Sequence, residues 1–273
     1  MKKKRPIILL LVLILPALIQ FSSFAQGVIK VGADARIVSG IGSYWVLDNG
    51  AFTLTSPSAA NPVSMANLTI ANTSSNTSLT IGPLNYLTVT GTLTNSAGNT
   101  GLIVNSDATG AGSLINGTSS VPASVNRYIT GISRAWHFLS SPVEAQAISP
   151  NFTATAADYD FFAWYEPTGE WVNFKSTTGT SWTTANGNAN FTPGKGYLVE
   201  YLGLGLTKSF SGNLNAGSLS LSLTYNGSGL YKGYNLVGNP YPSAIDWKAA
   251  IGWERSSLLI NSGGYDMYML NDA

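Results

Sequence analysis

Apolar residues alternate with threonine and serine through the first half of the chain. The pattern is clearest in Asn67-Leu-Thr-Ile70, Ser78-Leu-Thr-Ile81, Tyr86-Leu-Thr-Val-Thr90, Gly101-Leu-Ile-Val-Asn105 and Gly112-Ser-Leu-Ile115. A period of two marks a strand with one buried and one wetted face. Gly, Asn and Ser separate the segments, whose starts fall about 8–15 residues apart. Short, similar strands in irregular repeats suit coils that stack on one another. The Thr/Gly/Asn-rich stretch 26–120 is therefore predicted to be a short, β-helix-like solenoid, with an ordinary β-sandwich as the alternative.

The texture changes near residue 120. Ser119-Ser-Val-Pro-Ala123 reads as a boundary, and a linker is expected at 121–127. Beyond it Trp, Tyr and Phe become frequent. Strands are predicted within Trp136–Val143, Tyr159–Glu166, Glu170–Phe174, Phe191–Tyr201, Lys208–Leu214 and Ser218–Tyr225. About 100 residues of strands and turns match one antiparallel β-sandwich, assigned to 128–233. Trp136-His-Phe-Leu-Ser-Ser-Pro-Val143 aligns with Tyr234-Asn-Leu-Val-Gly-Asn-Pro-Tyr241, and Tyr159–Glu166 aligns with Tyr265–Asp272 in the same order. Residues 234–273 are read as the start of a second, incomplete copy. That copy leaves Ile260, Tyr265, Met267 and Met269 uncovered, and its removal should leave the first unit folded. The expected fold class is all-β: a short β-solenoid followed by tandem antiparallel β-sandwich units, the second incomplete. Helix is expected only as a turn near 243–251.

Residues 1–25 follow a different pattern. Lys2, Lys3, Lys4 and Arg5 precede an apolar core from Ile7 to Ile19, and Ser23-Phe24-Ala25 supplies the small residues of a cleavage site. An apolar core of about 13 residues is short for a bilayer span. The segment reads as an export signal cleaved between Ala25 and Gln26, with no transmembrane segment left after its removal. It takes four of the 14 basic residues and none of the 13 acidic ones. The remainder is weakly acidic, which argues against nucleic acid as a partner.

Cysteine is absent and charged residues make up 10% of the chain. Disulfides, Cys-based metal or nucleophile sites and N-terminal lipid attachment are thereby excluded. His137 is the single histidine, placed between Trp136 and Phe138, and reads as a structural residue rather than as part of a triad. No catalytic residue, metal site or cofactor is implied. Pro193-Gly-Lys-Gly196 lacks a phosphate-loop pattern and reads as a hairpin turn. Asp158, Asp160, Glu166 and Glu170 form the densest acidic group, with the solvent face of a strand favoured over calcium binding. Trp171 and Trp182 lie beside polar loops and are the candidates for stacking on sugar rings.

Leu87-Thr-Val-Thr-Gly-Thr-Leu-Thr-Asn95, Trp136–Val143, Pro193-Gly-Lys-Gly-Tyr197 and above all Tyr234-Asn-Leu-Val-Gly-Asn-Pro-Tyr-Pro-Ser-Ala-Ile-Asp-Trp247 carry a resemblance. They resemble the large secreted surface proteins of Bacteroidota that travel by the type IX secretion route. The resemblance implies outer-membrane passage and surface display, and it supplies no catalytic residues. Residues and resemblance together point to a secreted or cell-surface structural or adhesion protein without catalytic activity of its own. A glycan-binding module is the alternative, with extracellular glycan or surface matrix as partner. A β-helix polysaccharide lyase or hydrolase is the less favoured third.

Overall fold

The computed structural model describes residues 43–252, except 49, 57, 60, 61, 72–76, 204, 227, 229 and 250. The segment expected to be an export signal, with its Ala25–Gln26 junction, lies outside the described residues. So do Ile260, Tyr265, Met267 and Met269.

The first half is the expected solenoid. Its first coil comprises β1 (Tyr44–Leu47), β2 (Ala51–Leu54) and β3 (Val63–Met65). The second comprises β4 (Asn67–Ile70), β5 (Ser78–Ile81) and β6 (Tyr86–Val89). The third comprises β7 (Leu93–Asn95), β8 (Leu102–Val104), a small excursion through β9 (Ser106–Asp107) and β10 (Gly110–Ala111), and β11 (Ser113–Asn116). Each coil places one strand on each of three parallel sheets: β1-β4-β7, β2-β5-β8 and β3-β6-β11. The sandwich alternative for this half is thereby excluded.

Period two and the parallel register together build the solenoid interior. Phe52, Leu79 and Leu102 fall in one ladder, Leu54, Ile81 and Val104 in another, and Val63, Leu87 and Leu114 in a third. Leu68, Ile81, Leu102 and Leu114 are all but fully buried. Each such side chain contributes about 1.5–3 kcal/mol through burial. The corners are closed by polar side chains. Thr92 N donates to Asn67 Oδ1 at 2.8 Å, and Ser56 N donates to Asn85 Oδ1 at 2.8 Å. Such bonds satisfy backbone donors where the chain leaves one sheet for the next.

Residues 121–127 are not a linker. All but Val121 lie in β12 (Pro122–Ile129), an eight-residue strand of the second sheet. β12 continues the solenoid by pairing in parallel with β8, and its other edge pairs antiparallel with β17 (Leu206–Asn213) over eight residues. Proline is tolerated at the first residue of a strand, so Pro122 opens β12 rather than ending the fold. Val125 adds to the ladder of Val104 and sits opposite Phe210.

Through Phe210 the solenoid interior meets a second, aromatic core. The remaining elements are β13 (Trp136–Leu139), β14 (Tyr159–Tyr165), β15 (Glu170–Asn173), α1 (Trp182–Asn186) and β16 (Tyr197–Tyr201). The strands form an antiparallel sheet in the order β13-β16-β14-β15. Phe210 packs on Phe152 and Phe191 with ring centroids 4.6 and 5.2 Å apart, and Phe161 packs on Phe191 and Tyr197 at 5.6 and 5.5 Å. The buried residues of both halves belong to one contiguous core.

Two sequence expectations need correction here. Ser218–Tyr225 alternates as a strand would, yet it is assigned no strand. Alternation fixes which side chains share a face, but a strand also needs a backbone partner. The helical turn lies at α1, capped by Ser181 Oγ accepting from Thr184 N, and no helix is assigned within 243–249.

Residues 234–242, expected to open a second copy, are seated on the aromatic unit. Gly196 N donates to Leu236 O at 3.0 Å and Gly238 N donates to Gly194 O at 2.9 Å. A Cβ on Gly196 would meet Leu236 Cγ at 2.8 Å, so the close approach requires glycine there. The buried Asn215 amide donates to Ser141 O and to Pro240 O, at 3.0 and 2.8 Å. These carbonyls come from the two aligned segments, 136–143 and 234–241, so one side chain clamps both. Leu114 N, on the outer edge of β11, donates to Pro242 O at 2.9 Å. Residues 234–242 therefore touch the free edge of the solenoid at Leu114 as well as docking on the aromatic unit.

Candidate functional site

The antiparallel sheet has aromatic residues on both faces. Along β14, Tyr159, Phe161 and Ala163 are buried on the inner face, with Tyr197, Val199 and Tyr201 of β16 beside them. The intervening residues turn outward. Register places Trp136, Glu200 and Asp160 in one outer row, and Phe138, Leu198, Phe162 and Asn173 in the next. Trp164 and Trp171 form a third row. Trp136 and Trp171 are 47% and 40% exposed, high values for side chains of this size.

The outer rings touch in two groups, Trp136 with Phe162 and Trp164 with Trp171 and the tyrosines. Trp136 and Phe162 have centroids 5.8 Å apart at an interplanar angle of 56°. Trp164 and Trp171 lie 5.1 Å apart at 64°. Tyr231 meets Trp164 edge-on at 5.9 Å and Tyr234 at 6.1 Å, both tyrosines half-exposed. Trp164 Nε1 donates to Tyr234 O at 2.6 Å, which fixes that indole. The tyrosines are held by a buried carboxylate. Glu166 Oε1 accepts from Gly233 N at 2.7 Å, and Oε2 accepts from Asn226 N at 3.0 Å.

A polar cluster borders the rings at the Trp136 end. Arg134 pairs with the buried Glu200 and also donates to Ala157 O. Lys175 Nζ pairs with Asp160 at 2.8 Å and donates to Tyr159 O at 2.7 Å. Asn173 Nδ2 donates to Asp160 Oδ1 at 2.8 Å. Burial works to raise the Asp160 carboxyl. The Lys175 and Asn173 hydrogen bonds and the Lys175 charge outweigh it and hold the group below its ordinary value. Asp160 is thus an ionised acceptor at neutral pH. Two cations and two carboxylates leave this border without net charge.

The structure separates the two tryptophans singled out from sequence. Trp171 lies on the outer face. Trp182 does not: α1 turns it inward, where it is 8% exposed and packs on Phe174 and Phe161 at 4.9 and 5.9 Å. Its Nε1 donates to Asn188 O at 3.0 Å, so the polar atom is satisfied inside the fold. Trp182 is therefore not a stacking residue. Trp136, Phe162 and Trp164 are the outer rings that sequence reasoning missed. The signal was present in Tyr159-Asp-Phe-Phe-Ala-Trp-Tyr165, where aromatics occupy both parities of one strand. One core takes only one parity.

The acidic group does not act together. Asp160 faces Lys175, whereas Glu166 holds the backbone of Asn226 and Gly233. Among the described residues no group of His, Cys, Asp or Glu is arranged to hold a metal ion. His137 lies on the inner side of β13 opposite Val199, half-buried. Pro193–Gly196 forms a turn closed by Lys195 N donating to Thr192 O at 3.0 Å, and its glycines receive residues 236–238. Burial lowers the Lys195 ammonium, whose Nζ donates to Ala185 O at 2.6 Å. Among the described residues no helix is long and apolar enough to cross a membrane.

One family model, described as a domain of unknown function (DUF8693), matches residues 48–261. The match spans both the solenoid and the aromatic unit. Neither the curated proteins nor the solved structures give a match.

Proposed function

The chain belongs to the DUF8693 family, a domain of unknown function, and from that premise we propose that it is a non-catalytic extracellular adhesion protein that holds glycan on the outer aromatic face of its antiparallel sheet. The observation that carries the reading is the pair of exposed indoles, Trp136 and Trp171, on a sheet face floored by Phe162 and Trp164. Sugar rings present apolar C–H faces and polar hydroxyl edges. Aromatic faces bind the former, and the acceptors and donors of Asp160, Asn173 and Arg134 suit the latter. The solenoid serves as a rigid mount. The export signal at 1–25 and the resemblance to type IX secreted surface proteins support a secreted or cell-surface location under the same proposal.

Removing one platform indole should weaken glycan binding by about 1–2 kcal/mol, roughly 5- to 30-fold in Kd. Affinity electrophoresis through gels containing neutral plant, fungal and bacterial polysaccharides checks this. At least one polysaccharide should retard the wild-type chain. Trp136→Ala and Trp171→Ala should each migrate closer to the ligand-free position. Ile115→Ala, an exposed change on the solenoid, should behave as wild type. Equal retardation of all four proteins would place binding elsewhere.

A further inference from the structure

We infer that the ligand is a single linear, uncharged polysaccharide chain bound through several consecutive sugars along a diagonal of the sheet, from Trp136 to Trp171. This rests on the glycan reading above and specifies its substrate class.

The geometry of the sheet sets the length. Trp136 lies on one edge strand, β13, and Trp171 on the other, β15. Three strand spacings separate them across the sheet. The row of Trp136 contains Asp160 and the row of Trp171 contains Trp164, four residues further along β14. At about 4.8 Å per strand and about 3.3 Å per residue, the diagonal is roughly 20 Å. Phe162 and Trp164, both half-buried, lie in the interval on the same strand, with Tyr231 set edge-on against Trp164 and extending the strip. A single sugar covers one ring of this strip, and only a chain of several sugars reaches both end indoles. Both ends are exposed and on edge strands, so the strip suits the interior of a chain rather than its terminus.

Ring orientation sets the form. Trp136 and Phe162 are inclined at 56°, and Trp164 and Trp171 at 64°. A flat crystalline surface cannot lie on all four rings, whereas one twisting chain can turn with them. Charge sets the type. The hydrogen-bonding groups beside Trp136 are paired as Arg134 with Glu200 and Lys175 with Asp160. They offer directed contacts to hydroxyls without the net positive field that uronates or sulfates require.

The test is calorimetry on the whole exported chain with di- and hexasaccharides of β-1,4-glucan, β-1,3-glucan, β-1,4-mannan and β-1,4-xylan. Polygalacturonate and alginate serve as anionic probes. At least one neutral hexasaccharide should bind about tenfold or more tighter than its disaccharide. Trp136→Ala and Trp171→Ala should each remove most of that gain, whereas Ile115→Ala should leave it intact. Trp136→Tyr, which keeps a ring and guards against misfolding, should retain part of it. Equal affinity for di- and hexasaccharide, or tighter binding of an anionic chain than of every neutral one, overturns this inference and leaves the glycan reading standing. Binding of none of the carbohydrates overturns both. Self-association that disappears in the Trp136→Ala, Trp171→Ala double variant would assign the face to a second copy of the chain and also overturn both.

Discussion

Replacing Phe161 by alanine should cost about 3–5 kcal/mol and melt the solenoid together with the aromatic unit. Phe161 is fully buried and meets Phe174, Trp182, Phe191 and Tyr197 with ring centroids between 5.5 and 6.3 Å. Truncation removes the ring and leaves a cavity that these neighbours, held on β16, on α1 and in the segments that follow β15 and α1, fill only in part. The loss is a large share of the roughly 5–15 kcal/mol that holds a typical domain. It spreads because β12 belongs to both halves: one edge pairs with β8 of the solenoid and the other with β17. Thermal melts followed by near-ultraviolet dichroism, which reports the aromatic core, and by far-ultraviolet dichroism, which reports strands, should give one shared midpoint. Both midpoints should fall together in Phe161→Ala. A solenoid transition that stays at the wild-type temperature would show that the two halves are separate domains.

Ending the chain after Gly233 should also be strongly destabilising, by on the order of 5 kcal/mol. The repeat in the sequence suggests the opposite, a dispensable fragment. The structure gives residues 234–242 several duties instead. They supply Leu236 O to Gly196 N, the Gly238 N donor to Gly194 O, Pro240 O to Asn215, Pro242 O to Leu114 N, and Tyr234 O to Trp164. Leu114 and Asn215 are nearly fully buried, so their donors are left costly once these partners go. Loss of Pro242 also frees the Leu114 donor on the edge of β11, and an unpaired strand edge invites pairing with another chain. Residues 26–233 should therefore melt several degrees or more below residues 26–273, and scatter light on heating at a lower temperature. Equal melting temperatures would show that the docked segment adds nothing.

The solenoid was the most legible part of the sequence. Leu-Thr-Ile in β4 and β5 and Leu-Thr-Val in β6 keep strict alternation, because each strand has one face in the core and one in water. β12 was hidden because its opening Ser-Val-Pro resembles a boundary, although a proline at a strand's first position interrupts no ladder. Ser218–Tyr225 shows the reverse error: good alternation with no backbone partner. Trp182 was misplaced because α1 is only five residues long, too short for helical periodicity to register. The platform was half legible. Trp171 stood out beside polar residues. Trp136, Phe162 and Trp164 looked like core, because a sequence does not say which face of a sheet is covered.

The most direct test of the outer-face account is fluorine NMR of the chain labelled with 5-fluorotryptophan, which gives a signal at each of its seven tryptophans. Single Trp-to-Phe changes assign the peaks, and the polysaccharide that retards the chain most in gels is then added to saturation. The account predicts that Trp136, Trp164 and Trp171 shift or broaden while Trp182 and the solenoid's Trp45 stay in place. Unmoved outer-face signals with ligand bound, or a shift confined to Trp45 or Trp182, would contradict it.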